Sequence, residues 1–242
     1  MIGVLRSATF NLLFFGWTAI LLFAYAPLLL ASRATLLRWV RGWIGSMFFL
    51  QRRVLCLDFE FRGMERLPDG PFIVASAHQS AWETLGFYDA LDDPVFVLKK
   101  ELYSIPMFGA YARKVGMVAI DRSGGATEAR RMIREVTAFL AAGRPVVIFP
   151  GGTRSRPDEI VDLKAGINGL YRRCNVPVVP VSLNSGYFWG RRRFVKKPGT
   201  IVAEFGEPIP PGLDLEAFEE RLSKTIHDGN MRLLEEARRA SM

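Results

Sequence analysis

Cysteine and histidine are scarce in this sequence, with two of each in 242 residues. Cys56 and Cys174 form no C-x-x-C pair and no disulfide framework, and they read as reduced thiols of a cytosolic compartment. Ligand clusters of the kind that hold zinc are missing, so no metal site is expected. Neither cysteine has a histidine near it in sequence, which argues against a cysteine nucleophile. A G-x-S-x-G elbow is absent too, so a serine hydrolase of that build is excluded. Zinc-finger spacing and RRM-type aromatic boxes are also lacking, leaving nucleic acid as the weakest partner class. Internal repeats and low-complexity tracts do not occur. Acidic residues fall short of basic ones, 24 against 32, for a net charge of +8. Such a balance suits an anionic lipid or a phosphorylated substrate.

Charge is absent altogether from residues 7–32, a run of 26. That exceeds the roughly 18 apolar residues that suggest a membrane span. Pro27 lies inside the run and predicts a kink. No small-residue cleavage site with a polar start follows, so the segment is read as retained. Residues 36–53 continue the apolar character but are interrupted by Arg38 and Arg41 and end on Arg52 and Arg53. Trp17, Trp39 and Trp43 suit a bilayer interface. The N-terminal region therefore either spans once or forms a helical pair dipping into one leaflet, the bland alternative being a buried pair of core helices. Arginines at 33, 38, 41, 52 and 53 follow the apolar run and only Arg6 precedes it, which places the remaining chain on the cytoplasmic side.

From about residue 57 the pattern changes. Strand-length runs occur at 57–61, 72–76, 95–99, 115–120, 146–150, 176–183 and 200–205. Several are continuously apolar, as in strands buried on both faces. Helical spacing appears over 126–143, and again over 214–240 with a break expected at Gly229. The expected fold is α/β: a mostly buried mixed sheet covered by helices, preceded by an N-terminal membrane-associated helical segment. Residues 1–55 are assigned to that segment and 56–242 to the α/β domain. Residues 84–91, TLGFYDAL, read as core rather than as the wall of a tunnel.

One of the two histidines, His78, follows the apolar run FIVAS, and Glu83 stands five positions later. Inside a single helix that spacing separates two side chains by about 140°. With His78 in the turn and Glu83 in the first helical turn, the carboxylate can reach back to one ring nitrogen and leave the other to accept a proton. A histidine backed by a carboxylate lacks only a nucleophile, and a substrate alcohol can supply it. A structural histidine in a turn is the competing reading. His227, in a charged helical stretch without a motif, reads as a surface residue.

These residues, with three further motifs, resemble a known family. HQSAWE is similar to the H-x4-D motif of glycerolipid acyltransferases, with Glu83 in place of aspartate. Lys99, Leu102, Gly109 and Arg122 match K-x2-L-x6-G-x12-R, residues 149–155 match F-P-E-G-T-R-S, and VPVVPV at 176–181 matches the fourth motif. The resemblance is to the bacterial 1-acyl-sn-glycerol-3-phosphate acyltransferase branch. It implies a bacterial inner (cytoplasmic) membrane location and an acyl-CoA or acyl-ACP donor, with no other cofactor bound. The implied acceptor is a lysophospholipid, and membrane lipids are partners. His78 and Glu83 are the implied catalytic pair, with Lys99, Arg122, Gly152, Thr153, Arg154 and Ser155 binding substrate. Arg154 is the foremost phosphate holder, since a guanidinium grips phosphate through paired donors. Backbone amides at 151–153 are candidate oxyanion donors. Gly151 departs from the motif's glutamate, which keeps another lyso-lipid open as acceptor, lyso-ornithine lipid for example. Ala77, where many members have asparagine, is a lesser departure. A non-catalytic membrane-binding module and a thioester hydrolase are the other readings. The basic run at 191–197 is a solvated loop or a contact for anionic lipid, coenzyme A phosphates or an acidic carrier protein.

Overall fold

A computed structural model describes residues 1–121 and 123–241 of the chain. Two helices open it, α1 (Ile2–Ala24) and α2 (Arg33–Leu50). The uncharged run does not continue as one rod. A 3-10 turn over Ala26–Leu29, with Pro27 in its first positions, follows α1. Ser32 then caps α2 by accepting from the Thr35 amide. The two helices lie antiparallel. Trp17 Nε1 donates to Ser46 Oγ at 3.1 Å, Trp43 Nε1 donates to Thr18 Oγ1 at 3.2 Å, and the Tyr25 ring meets Trp39.

Only Ser7 and Phe10 of α1 are buried, while Leu12, Phe15, Ile20 and Phe23 stand out from the surface. The reading as a buried core pair is therefore set aside. Both ends of α1 nevertheless touch the body: the Lys196 amide donates to Ser7 Oγ and the Tyr111 hydroxyl donates to the Leu22 carbonyl. The start of α2 is fastened as well. Arg33 and Arg144 both pair with Asp93, and both donate to the Val115 carbonyl.

A π-helical turn over Gln51–Leu55 leads into the body. Its elements are β1 (Leu57–Arg62), β2 (Ile73–Ser76), α3 (Trp82–Ala90), β3 (Val95–Lys99), α4 (Phe108–Val115), β4 (Val118–Ile120), α5 (Gly125–Ala141), β5 (Val146–Ile148), α6 (Ala165–Cys174), β6 (Val178–Leu183), α7 (Ser185–Phe188), β7 (Gly199–Phe205) and α8 (Leu215–Arg239). All seven strands fall on runs read from the sequence, and they form one sheet in the order β1-β7-β6-β2-β5-β3-β4. Every pair is parallel except β6 with β7, so the sheet is mixed as expected. The central strands β2, β5 and β6 are buried along their whole length, the physical reason their sequences are continuously apolar.

The break expected at Gly229 does not occur, for α8 runs unbroken from Leu215 to Arg239. Glycine weakens a helix interior by about 1 kcal/mol relative to alanine. Here it lets the helix press on the sheet, since a Cβ at 229 would lie 2.2 Å from Ser182 Oγ. Packing rather than helix termination explains this residue.

Candidate active site

Strands β2, β5, β3, β4 and β6 run in one direction, so their carboxyl ends share one edge, where open α/β sheets gather their ligands. The turn after β2 holds His78. The loop after the neighbouring β5 holds residues 149–155, and the residues after β6, on the other side, lead into α7. These segments are tied together. The Ser155 amide donates to the His78 carbonyl at 2.8 Å, Gln79 Nε2 donates to the Leu183 carbonyl at 2.9 Å, and the Gly186 amide donates to Gln79 Oε1 at 3.0 Å.

Glu83 sits in the first turn of α3 and is fully buried. Its carboxylate accepts from the Gln79 amide at 2.7 Å, the Ser80 amide at 2.8 Å and the Ser185 hydroxyl at 2.7 Å. Burial pushes the carboxyl up to about 7, while those hydrogen bonds pull it down. Its Oε2 lies 3.9 Å from His78 Nδ1, longer than a hydrogen bond. Glu83 thus stands behind the ring as the spacing predicts, but its closest bonds fix the backbone of the turn rather than the imidazole.

The imidazole stacks on Phe149, with ring centres 4.2 Å apart. On its other nitrogen, Arg154 Nε donates to His78 Nε2 at 3.4 Å. That bond requires a lone pair on Nε2 and places the ring proton on Nδ1, the side facing Glu83. The sequence-predicted base, carboxylate and guanidinium are therefore brought together in one line, although His78 and Arg154 are 76 residues apart.

The other predicted positions surround this line unequally. Gly152 has φ +68, a left-handed turn that favours glycine, and its amide donates to the Phe149 carbonyl at 2.8 Å. Of the candidate oxyanion amides at 151–153, that of Gly152 is thus committed to the loop in this conformation. Thr153 is exposed and accepts from Arg191, which also donates to the Arg154 carbonyl at 3.1 Å. Lys99 ends β3, half-exposed beside Glu101 at 3.0 Å. Arg122 lies outside the described residues. Gly151 is packed for its size, since a Cβ there would meet Val161 at 3.2 Å.

A cavity of about 1470 Å³ opens beside His78. Arg154 and Lys99 mark its polar lining, and Leu21 of α1, Ile44 of α2 and Tyr111 of α4 contribute to its apolar walls. Thr84, Leu85 and Tyr88 line it as well, so one side of the segment read as core forms a wall, while Phe87 and Leu91 are in the core away from it. Sequence reasoning gave no role to Gln79, Phe149 or Ser185. The first two lie within the motifs, but Ser185 is 102 residues from Glu83 and carries no local signal beyond following β6.

The chain is similar to known proteins in sequence and in fold. A family model described as Acyltransferase matches residues 58–184. The chain is 33% identical over 212 residues to the 1-acyl-sn-glycerol-3-phosphate acyltransferase of Pseudomonas aeruginosa, covering 85% of this chain and 80% of that protein. This chain belongs to the acyltransferase family. Human 1-acyl-sn-glycerol-3-phosphate acyltransferase alpha is 30% identical to this family member over 176 residues, 69% of this chain and 62% of the human protein. The same fold is seen in the crystal structure of the 1-acyl-sn-glycerophosphate acyltransferase PlsC from Thermotoga maritima. The TM-score is 0.76 at 23% identity, covering 95% of this chain and 96% of that one.

Proposed function

We propose that this protein transfers a fatty acyl group from a thioester donor, acyl-CoA or acyl-ACP, to the sn-2 hydroxyl of 1-acyl-sn-glycerol-3-phosphate, forming phosphatidic acid. The observation that carries the reading is the line from Glu83 through His78 to Arg154 at the mouth of a large apolar cavity. Base, anion holder and chain holder meet there.

In this reading the acceptor's phosphate draws the Arg154 guanidinium off His78 Nε2, because a doubly charged phosphate outcompetes a neutral imidazole for it. The freed Nε2 takes the proton of the sn-2 hydroxyl as that oxygen attacks the thioester carbonyl. The tetrahedral intermediate expels the thiolate, which takes the proton back from the imidazolium. Glu83 stabilises the imidazolium from behind. Lys99 and Arg122 add positive charge near the phosphate, and residues 152–155 shape the loop that presents Arg154. The acyl chains lie in the apolar cavity. The exposed apolar face of α1, with α2 folded back on it and both held to the body, supports a helical pair immersed in one leaflet. The proposed place is the cytoplasmic side of a bacterial inner membrane.

The test is His78→Ala in the full chain. Thiol release dependent on lysophosphatidic acid is expected to fall by at least about 10²-fold, while sedimentation with vesicles stays as in the unaltered protein. Near-normal turnover overturns the mechanism. Gly151 gives a specific reason to vary the acceptor, since the family's carboxylate is absent from this loop. A marked preference for a phosphate-free lyso-lipid removes the role given to Arg154.

A further inference from the structure

A second cavity, of about 420 Å³, lies next to the first, and Arg154 and Arg191 line both. Its lining is of a different kind. Arg154, Arg156, Lys197, Arg238 and the three arginines at 191–193 face it, against only Asp158 and Glu159. Asp158 is already paired with Arg156 at 3.3 Å. Among the described residues, no carboxylate stands within ion-pair distance of Lys197, Arg238 or the 191–193 arginines. Like charges gathered this closely without acids repel one another, a cost that an anionic ligand offsets.

The basic run is anchored at its end, while Arg191, Arg192 and Arg193 stand exposed at the rim of the pocket. Lys196 is 6% exposed, with its ammonium bonded to Asn11 of α1 and to the Phe194 carbonyl. The Lys197 amide donates to the Phe188 carbonyl, and its ammonium lies 3.8 Å from the centre of the Tyr187 ring. The floor is closely packed, since a Cβ on Gly186 would meet Gln79 and Pro157 each at 2.9 Å. Tyr187 registers the surrounding field. Its phenol is drawn below the usual range by the Ser241 hydroxyl, and the Lys197 and Arg238 cations add to the pull.

We propose that this pocket binds the phosphorylated nucleotide end of a coenzyme A thioester, with the thioester itself reaching past Arg154 to His78. The inference rests on the acyl-transfer reading and names its donor. Charge and shape both favour it. The acceptor brings one phosphomonoester, about two negative charges, which the cations of the first cavity already face. The second pocket has five more cations than carboxylates. Coenzyme A brings a pyrophosphate and a 3′-phosphate, about four negative charges, on a compact head that fits a concavity. A carrier protein offers the site one phosphodiester on its prosthetic arm, and its acidic surface calls for a broad face rather than a small pocket. The leaving thiol, its acyl bond broken, departs with the nucleotide that anchored it.

The test uses the full-length protein in mixed micelles, with palmitoyl-CoA and palmitoyl-carrier protein as donors. Adenosine 3′,5′-bisphosphate is expected to inhibit competitively against palmitoyl-CoA and not against lysophosphatidic acid. Arg193→Ala and Arg238→Ala, made separately, are expected to raise KM for palmitoyl-CoA about tenfold each, the effect of one lost charge-assisted contact. KM for the acceptor is expected to move less than twofold, and Arg238→Lys to recover part of the loss. A rise in the acceptor's KM instead assigns the pocket to the acceptor and overturns the proposal. A rise confined to the carrier-protein donor, with no competition by the nucleotide, assigns the surface to a protein partner and overturns it equally. Absence of acceptor-dependent thiol release from the unaltered protein with either donor is a separate result, which removes the acyl-transfer reading itself.

Discussion

At the scale of single residues, Glu83 concentrates the chemistry of the site. It is a wholly buried carboxyl held by two backbone amides and a hydroxyl, with an imidazole just beyond hydrogen-bond reach. Its value of about 7 lies above the 4.5 of a free glutamate, so the folded chain holds the proton longer than the unfolded one. Stability from that proton is complete below pH 4.5 and is lost as pH rises through 7. Denaturant titrations should therefore show the advantage of the native protein over Glu83→Gln shrinking by roughly 2–3 kcal/mol between pH 5 and pH 8. A constant difference across that range shows that Glu83 is ionised throughout. Ser185→Ala removes the hydroxyl that favours the carboxylate. It is expected to cost about 1–2 kcal/mol at pH 8 and less at pH 5, measured the same way. His78, Glu83 and Arg154 were legible in the sequence because motif spacing fixes residue type and order. Ser185 was not, because its partner is reached only through the adjacency of β6 and β2.

At the scale of elements, the strands were the most legible feature. A strand buried on both faces must be apolar throughout, so β2, β5 and β6 announce themselves without any partner being known. Helix α8 was legible in extent but not in continuity. Gly229 reads as a stop signal, and only the approach of Ser182 on β6 explains it. Gly229→Ala should accordingly destabilise the protein by about 1–3 kcal/mol, the range for forcing an extra methyl into a closed contact. An unfolding midpoint at or above the native value would show that α8 can shift outward at little cost. Helix α3 divides its faces, with Phe87 in the core and Leu85 and Tyr88 at the cavity. Apolarity alone does not say which face meets protein and which meets an empty volume.

At the scale of the whole molecule, the helical pair and the α/β body form one continuous structure. Asp93 joins α2 to the start of β3 through Arg33, and Lys114 of α4 donates to the Leu29 and Ala31 carbonyls at the turn between the two helices. Leu21, Ile44 and Tyr111 then line a single cavity that opens beside His78. Among the described residues nothing packs on the outer face of α1, with Phe15 66% and Ile20 59% exposed. Vesicle flotation tests what covers this face. The double substitution Phe15→Asp and Ile20→Asp should lower the bound fraction at least about tenfold in partition coefficient, with far-UV circular dichroism unchanged. Partitioning equal to that of the native chain assigns the apolar face to something other than lipid.

The sequence by itself determined the strands, the apolar N-terminal region, the loops that follow β2 and β5, and the types of the residues that meet around His78. These are consequences of local burial and of motif spacing, which a chain carries whatever its fold. Tertiary structure alone decided that the N-terminal helices turn back onto the body and wall the cavity, and that Glu83 bonds to the turn and Ser185 before it meets the ring. It also decided that Arg191, Arg192, Arg193 and Lys197 line one pocket with Arg156 and Arg238. Each of these depends on which distant segments become neighbours. That is fixed by the order of strands in the sheet, a property no stretch of sequence expresses on its own.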